Sequence, residues 1–243
     1  MAHPYDVLRA ELSRDGSRPF ATFYDDATGE RVELSVATFD NWVAKTAGLL
    51  RDGLGAQPGD RVALLLPPHW QALVWACACW AVGTTVVAGA DAAKSADVAI
   101  VGPDTLEAAA EVPEVVAVSL LPLGGRFTEA LPAGVLDYAV EVPAYPDRLT
   151  PYLPPSDGDP ALEVDGVRTS FGALTDTALQ HATALGAGSG ARLLVPADDL
   201  VPALNKALLV PLAIGGSAVL VRHEDPKSRE ARMAAERAGV LAT

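Results

Sequence analysis

The sequence contains little cysteine and few basic residues. Its 243 residues include two cysteines, Cys77 and Cys79, and 18 lysines and arginines against 31 aspartates and glutamates, so the formal net charge is −13. An acidic chain repels phosphate backbones and anionic bilayers, which argues against nucleic-acid binding and membrane attachment. The cysteines have no histidine or cysteine partner nearby in the sequence. They are predicted to be buried thiols of a reducing compartment, so a cytoplasmic location is expected.

Long uninterrupted hydrophobic runs are also scarce, although 50% of the residues are hydrophobic and the mean hydropathy is +0.22. Such a composition supports a packed core and excludes intrinsic disorder. Segment 62–90 carries no charge, but Pro67–Pro68 and Gly83 divide it into pieces too short to span a bilayer as a helix. At the N-terminus, Pro4 and Asp6 interrupt any signal-peptide pattern. No membrane segment is therefore predicted.

The first half of the chain has the pattern of an α/β domain. Residues 21–34 are predicted to form a hairpin, and Ser35 is a candidate N-cap for a helix that ends near Gly53. The segments DRVALLL, PHWQALVWACACWAV and TTVVAG then follow in the order strand, helix, strand. Continuous apolar runs in this order are typical of parallel strands in a sheet that is covered on both faces.

A proline-rich stretch separates the two halves of the chain. Six prolines occur between Pro143 and Pro160, which predicts a linker at residues 146–160. The predicted first α/β subdomain is then residues 1–145, including the hairpin, and the second is residues 161–243.

The second half repeats the order of the first. A hairpin is predicted with Asp165–Gly166 as a type I′ turn, and a helix, the strand GARLLVP, an apolar helix and the strand GSAVLV follow. The aligned pairs are Gly59 with Gly190, Arg61 with Arg192, Gly83 with Gly215, Gly29 with Gly166, and Arg31 with Arg168. This alignment predicts two similar α/β halves with a pseudo-twofold relation.

Motifs that carry chemistry are largely missing. The chain has no GxSxG elbow, no GxxxxGK[ST] loop and no GxGxxG fingerprint. His69 follows the first strand of the repeat, where parallel sheets bind ligands, and is a candidate ligand contact or an ordinary polar residue at a helix start. Asp198 is a second candidate ligand contact. Alternatively, Asp198 and Asp199 stabilise the start of the next helix, because carboxylates interact favourably with the positive end of a helix. No histidine has a second ligand at metal spacing, so no metal site is predicted.

Charges of both signs alternate near the C-terminus. The basic residues are Lys227, Arg229, Arg232 and Arg237, and the acidic ones are Glu224, Asp225, Glu230 and Glu236. We interpret this pattern as a solvated ion-pair face of the last helix.

A family resemblance follows from the first half of the sequence. The segment from GERVELS to GTTVV resembles the N-terminal part of the adenylate-forming superfamily, which includes acyl-CoA synthetases, luciferases and peptide-synthetase adenylation domains; Gly59–Val62 and Leu66–Pro67 match its GDRVALLLP segment. The part from GARLLVP onward is similar to the second subdomain of that superfamily. The resemblance implies an α/β fold of two pseudo-repeated, Rossmann-like sheet-and-helix subdomains, as in the N-terminal region of acetyl-CoA synthetases.

The departures from the family pattern bear on activity. The family's phosphate loop, of the type TSGTTGxPK, corresponds here to EVDGVRTSFGAL, which has no lysine. Its residues Gly166, Arg168, Thr169 and Ser170 are the candidate ligand contacts, and Arg168 is suited to bind a phosphate or to be an exposed hairpin arginine. The family's YGxTE segment, its ribose-binding aspartate and its C-terminal domain with a catalytic lysine are not found before Thr243.

These departures lead us to expect a non-catalytic relative, or pseudoenzyme. It would bind a small ligand or a protein partner in a cleft between the halves, and it would need no cofactor. One alternative is a reduced adenylate-forming enzyme that binds ATP, AMP or CoA through the loop from Gly166 to Ser170. A second alternative is a structural subunit of a homo- or hetero-oligomer.

Overall fold

The computed structural model describes residues 3–150 and 154–242, apart from the side chain of Leu123. The helices are α1 (Pro4–Asp15), α2 (Val36–Gly48), α3 (Trp70–Val82), α4 (Tyr138–Glu141), α5 (Phe171–Ala184), α6 (Leu200–Leu204), α7 (Val210–Ile214) and α8 (Arg229–Glu236). The strands are β1 (Pro19–Asp25), β2 (Glu30–Ser35), β3 (Arg61–Leu65), β4 (Thr85–Ala88), β5 (Val98–Val101), β6 (Glu114–Ala117), β7 (Val135–Asp137), β8 (Pro160–Val164), β9 (Val167–Ser170), β10 (Arg192–Pro196), β11 (Ser217–Arg222) and β12 (Val240–Leu241). π-helical turns extend α2 through Leu49–Gly53 and join α6 to α7 through Asn205–Leu209.

Local sequence signals explain several of these boundaries. The Oγ of Ser35 accepts a hydrogen bond from the backbone N–H of Thr38 at 3.1 Å, so Ser35 caps α2 as predicted. The helix and its π-helical extension end at Gly53, also as predicted. Short 3₁₀ turns at Pro103–Thr105 and Glu107–Ala109 follow β5.

The strands form two sheets. The five-stranded sheet has the order β12-β10-β11-β1-β2, and the seven-stranded sheet has the order β7-β6-β5-β3-β4-β8-β9. The β-α-β segments pair in parallel, which confirms the expected α/β class, whereas β2 and β9 lie antiparallel to β1 and β8. The five strands β5-β3-β4-β8-β9 follow the same order as the whole smaller sheet, so the internal repeat is present in the topology.

Each repeat takes its hairpin from the other half of the chain. Strand β1 lies parallel to β11, from the pair Ala21–Ala218 to the pair Asp25–Arg222. In the same way β8 lies parallel to β4, with Leu162 beside Val86. The β1–β2 hairpin therefore completes the sheet of the second half, and the β8–β9 hairpin completes the sheet of the first half.

The compact units follow this exchange of hairpins. Unit 1 takes in the described residues of Met1–Asp40, Pro67–Leu73 and Ala173–Thr243, and unit 2 takes in those of Asn41–Leu66 and Val74–Gly172. These units differ from the subdomains 1–145 and 161–243 expected from the sequence, and the proline-rich stretch does not separate them. Part of the predicted linker, residues 151–153, lies outside the described residues.

Strand register corrects one of the aligned pairs. Thr22 in β1 and Glu163 in β8 are equivalent, because each lies beside the third residue of the neighbouring parallel strand. The antiparallel partner of Thr22 is Glu33, and that of Glu163 is Arg168. Arg168 is therefore equivalent to Glu33 rather than to Arg31.

Helix α3 is buried on all sides. Its residues are at most 7% exposed, and Trp75, Cys77 and Cys79 are 0% exposed, so both cysteines are buried, as expected, and they form no disulfide. The indole N–H of Trp80 donates a hydrogen bond to the carbonyl oxygen of Ala161 at 2.8 Å, so its buried polar atom is satisfied. In the described parts of the chain, no helix combines the length and apolar character that a membrane crossing requires.

Candidate functional site

The β8–β9 hairpin contains most of the predicted ligand contacts. Val164 pairs with Val167, so the turn between the strands consists of two residues, Asp165 and Gly166. Their φ angles are +49° and +82°, which confirms the predicted type I′ turn. The backbone N–H of Asp165 points to the carbonyl oxygen of Ala88 at 3.5 Å. A turn this short has no run of free backbone N–H groups with which to surround a phosphate.

Glu163 neutralises the two arginines next to this turn. Its carboxylate accepts two hydrogen bonds from the guanidinium of Arg61, at 2.6 and 2.8 Å, and one from Nε of Arg168 at 2.8 Å. The hydrogen bonds from Arg61 and Arg168 lower the pKa of Glu163 to about 2, so it stays ionised at neutral pH. Arg168 is thus engaged by a carboxylate, although 63% of its side chain remains exposed.

These residues are a poor fit for a nucleotide phosphate chain. The positive charge of Arg61 and Arg168 is shared with Glu163, and Asp165 adds a further carboxylate at the turn. The Oδ1 of Asp165 lies so close to Gly89 that a β-carbon there would approach it to 2.2 Å. Thr169 and Ser170 belong to the ladder of β9, where Ser170 pairs with Pro160.

A cavity of about 440 Å³ lies beside the same turn, within unit 2. Arg61 and Glu163 on the sheet contribute to its lining, and so does Gly166. Lys94 and Asp91 also line it; they form an ion pair of 2.7 Å, and both side chains are more than 70% exposed. The cavity therefore offers charged groups of both signs to a small molecule.

His69, in unit 1, is a helix cap. Its Nδ1 accepts a hydrogen bond from the backbone N–H of Gln71 at 3.2 Å, at the start of α3. The ring is 1% exposed and packs edge-on against Phe23, with 4.5 Å between the ring centroids. Its Nε2 lies 3.9 Å from the carboxylate of Glu30. Burial lowers the pKa of His69, and Glu30 opposes that shift. The structure thus supports the ordinary alternative for this residue.

Asp198 is exposed and follows β10. Its neighbour Asp199 occupies the N-cap position of α6, but the Asp199 side chain makes no capping hydrogen bond. Gly166, Arg168 and the rest of the hairpin belong to unit 2, whereas His69 and Asp198 belong to unit 1. The six candidates therefore divide between the two units. Within the described residues, no group of three or more histidines, cysteines or carboxylates is arranged to hold a metal ion.

A polar cluster on α8 was not expected from the sequence. Glu236 accepts a hydrogen bond from the hydroxyl of Tyr24 at 2.6 Å and ion pairs with Arg192 at 2.7 Å and Arg31 at 3.0 Å. Arg232 pairs with Asp26 and lies over the ring of Tyr24. The interpretation of these charges as a solvated face is wrong for Glu236 and Arg232, whose side chains are 8% and 10% exposed. Tyr24, Asp26 and Arg31 lie more than two hundred residues earlier in the chain, and Arg192 lies 44 residues before Glu236, so helix periodicity could not reveal these partners.

Two comparisons of sequence match this chain to known proteins. The model of the AMP-binding enzyme family matches residues 9–103. A protein of Mycobacterium tuberculosis named TIGR03089 family protein is 39% identical over 239 residues, covering 95% of this chain and 94% of its own length.

Solved structures share the fold at low sequence identity. An acyl-CoA synthetase of Brucella canis superimposes with a TM-score of 0.80 and 18% identity, over 99% of this chain and 47% of its own. The N-terminal domain of FACL13 from Mycobacterium tuberculosis gives a TM-score of 0.73 and 17% identity, over 98% of this chain and 62% of its own. The chain thus spans about half the length of the Brucella protein. The chain belongs to the TIGR03089 family, is related to the AMP-binding acyl-CoA synthetases, and has the fold of their N-terminal region.

Proposed function

We propose that this chain is a non-catalytic relative of the AMP-binding acyl-CoA synthetases that binds a small ligand. The observation that carries the proposal is the two-residue turn at Asp165–Gly166. It stands where the resemblance to the superfamily implies a phosphate loop. A loop that binds phosphates needs several backbone N–H groups and a free cation directed at one point. This turn supplies neither.

The charges near the turn support the same proposal. Arg61 donates two hydrogen bonds to the carboxylate of Glu163 and Arg168 donates one, so a triphosphate at either arginine would lie close to that carboxylate. The repulsion between the two anions offsets much of the attraction that either arginine could supply. ATP therefore has no strongly favoured place at this hairpin.

The proposed ligand site is the cavity beside the hairpin in unit 2. Its volume of about 440 Å³ lies within the range of small-molecule sites, about 300–1,000 Å³. Val87 and Ala88 of β4 line it together with the charged residues Lys94 and Asp91, so a ligand with both a hydrogen-bond acceptor and a donor fits its chemistry. The bound class is a small polar molecule.

The absence of catalysis is tested by pyrophosphate exchange. The purified chain is incubated with ATP, magnesium, labelled pyrophosphate and a panel of carboxylic acids, alongside an active acyl-CoA synthetase. We expect no exchange above the protein-free control. Exchange that depends on the carboxylic acid and is lost in Arg168→Ala would overturn the proposal in favour of a reduced adenylate-forming enzyme.

Ligand binding is tested by a thermal-shift screen with ATP, AMP, CoA, acyl-CoAs and small polar metabolites. A ligand present at 100 times its Kd raises the melting temperature of a domain of this size by roughly 5–10 °C. The rise in melting temperature caused by a ligand in the proposed cavity should be smaller in Lys94→Ala. It should be unchanged in Lys227→Ala, which removes an exposed lysine elsewhere. A shift that is equal in both variants places the ligand outside this cavity.

A second copy of the chain is the other candidate partner. The side chain of Val167 on the edge strand β9 is 70% exposed, and an unpaired edge can take another strand. Light scattering at micromolar concentration tests this: a dimer that Val167→Lys dissociates supports self-association, and a stable monomer excludes it. A cytoplasmic location belongs to the same proposal, since Cys77 and Cys79 are buried and form no disulfide.

A further inference from the structure

The carboxylate of Glu236 is held by groups that converge from three strands of the smaller sheet. Its Oε1 accepts hydrogen bonds from the Tyr24 hydroxyl on β1 and from Arg31 on β2, and its Oε2 accepts one from Arg192 on β10. Thr22 on β1 receives a further hydrogen bond from Arg192 at 2.9 Å. We call Thr22, Tyr24, Arg31 and Arg192 the cradle. All of its members and Glu236 lie in unit 1.

The internal repeat shows what is unusual about the cradle. Arg192 begins β10 as Arg61 begins β3, and each is the first residue of its parallel ladder with the next strand. Arg61 is neutralised within its own sheet by Glu163, but the equivalent position beside Arg192 is Thr22, which has no charge. The second repeat therefore lacks a carboxylate of its own for this arginine. The compensating anion comes from outside the sheet, on α8.

Helix α8 is held to the sheet mainly through polar contacts. Every residue of α8 keeps some exposure to solvent, and the partly buried Met233 packs against the apolar cluster of Leu194, Val219 and Val221. Glu236 is the last residue of the helix, and Arg237 after it has φ +53°. A helix with so little apolar burial is readily detached compared with the core helices.

Unused hydrogen-bond donors lie in the cradle, on Arg192, and beside it, on Arg232. Within the described part of the chain, Nε of Arg192 and Nη1 of Arg232 are buried without a hydrogen-bond partner. Arg232, nine-tenths buried, lies over the face of the Tyr24 ring with 4.7 Å between its guanidinium carbon and the ring centroid. A carboxylate has two oxygens, whereas a phosphate group has more acceptor oxygens and more negative charge. A phosphate group can therefore accept hydrogen bonds from donors that Glu236 leaves free.

We propose that the cradle is an oxyanion-binding site in which the carboxylate of Glu236 is an internal ligand. An oxyanion from outside, such as a phosphate group, binds there by displacing Glu236, and the end of α8 is then released. The site lies in unit 1, apart from the cavity proposed above for a small ligand, so either proposal can fail without the other.

The first test removes the internal ligand. Full-length Glu236→Ala is titrated with inorganic phosphate at constant ionic strength, and binding is followed by calorimetry and by melting temperature. We expect saturable binding, with a rise of roughly 3–6 °C at ten times the Kd. Arg31→Met in the same background should abolish it, because Arg31 is a cradle donor with an exposed side chain. The matched control is Glu224→Ala, which removes an equally buried carboxylate paired with Arg229 outside the cradle.

Two results would overturn the proposal. One is the absence of saturable phosphate binding in Glu236→Ala. The other is a rise in melting temperature of the same size in Glu224→Ala and in the unmodified protein, which would be a general effect of salt. If Glu236→Ala does not fold alone, the titration uses Glu236→Gln, whose neutral amide keeps the side-chain volume; failure of Glu236→Gln to bind phosphate then overturns the proposal in the same way.

The second test concerns the unmodified protein. Because Glu236 is tethered beside the cradle, it competes with phosphate. The apparent affinity of the unmodified protein for phosphate should therefore be at least about tenfold weaker than that of Glu236→Ala. Phosphate should also accelerate tryptic cleavage after Arg232 and Arg237, while chloride at the same ionic strength should not. Equal affinity in the two proteins, or cleavage that phosphate does not change, would show that Glu236 is not a displaceable ligand.

Discussion

Replacing His69 by asparagine should remove a pH dependence of stability while keeping the cap of α3. The Nδ1 of His69 accepts a hydrogen bond from the backbone N–H of Gln71, so the neutral ring carries its proton on Nε2, on the side of Glu30. Protonation would put a second N–H at Nδ1, facing the backbone N–H, and would place a charge in the core. Asparagine keeps an oxygen acceptor for the cap and has no group that titrates.

The lowered pKa of His69 sets the sign of this pH dependence, and the usual histidine pKa sets its upper limit. Burial lowers the pKa of His69 in the folded protein below its usual value of about 6.5, against the opposing effect of Glu30. The unfolded chain therefore binds more protons below pH 6.5, and stability falls as the pH falls from there towards the folded pKa. The loss between pH 7.5 and pH 5.5 has an upper limit of about 1.4 kcal/mol, which is reached when the folded ring stays neutral over the whole range. Losing the ring packing against Phe23 should cost about 1–2 kcal/mol at every pH.

The assay is urea unfolding of the native protein, His69→Asn and His69→Ala from pH 5.5 to pH 7.5. Subtracting one pH profile from another isolates His69 from the other three histidines, which are common to all proteins compared. As the pH is lowered over this range, we expect the free energy of unfolding of the native protein to fall by up to about 1.4 kcal/mol more than that of His69→Asn. His69→Ala should be about 1 kcal/mol less stable than His69→Asn through loss of the cap. Parallel pH profiles for the native protein and His69→Asn would refute the reasoning.

Three further changes test other parts of the structure by the same urea assay. Glu163→Gln leaves Arg61 and Arg168 without their shared carboxylate and should destabilise the protein by about 2–3 kcal/mol at pH 7. Because the pKa of Glu163 in the folded protein is about 2, the difference in stability should persist down to about pH 4.5 and shrink as the pH falls further. An unchanged difference at pH 2.5 would contradict this prediction. Gly166→Ala introduces a side chain at φ +82° into open space and should cost about 1 kcal/mol through backbone strain alone; no loss would mean that the turn relaxes. Ser35→Ala removes the cap of α2 and should cost about 1 kcal/mol, with Ser35→Asp restoring most of it.

Local features of this fold could be predicted from the sequence with few corrections. The Asp165–Gly166 pair favours positive φ at both turn positions, and the turn has that conformation. Ser35 precedes an amphipathic run and caps it. The apolar segments on either side of α3 became parallel strands. In each case the determining interactions lie within a few residues of one another, or follow from covering an apolar run.

The sequence is less informative about the candidate site. It marks Arg168 as a possible phosphate contact, but it does not show that Arg168 donates a hydrogen bond to Glu163. His69 was identified by its place after a strand, but its Nδ1 is used within the backbone of its own helix. Residue type and spacing therefore located polar groups near strand ends without showing which of them are already satisfied.

The sequence by itself determined the α/β class, the repeated β-α-β units, the turns and caps, and the family. Periodicity, turn chemistry and capping act over short stretches of chain, so they can be read from a linear pattern. Only the tertiary structure decided that each hairpin joins the sheet of the other half, and that Glu236 supplies the carboxylate that Arg192 lacks. These contacts join residues far apart in the chain, and their free energy depends on burial and charge that exist only once the sheets have assembled.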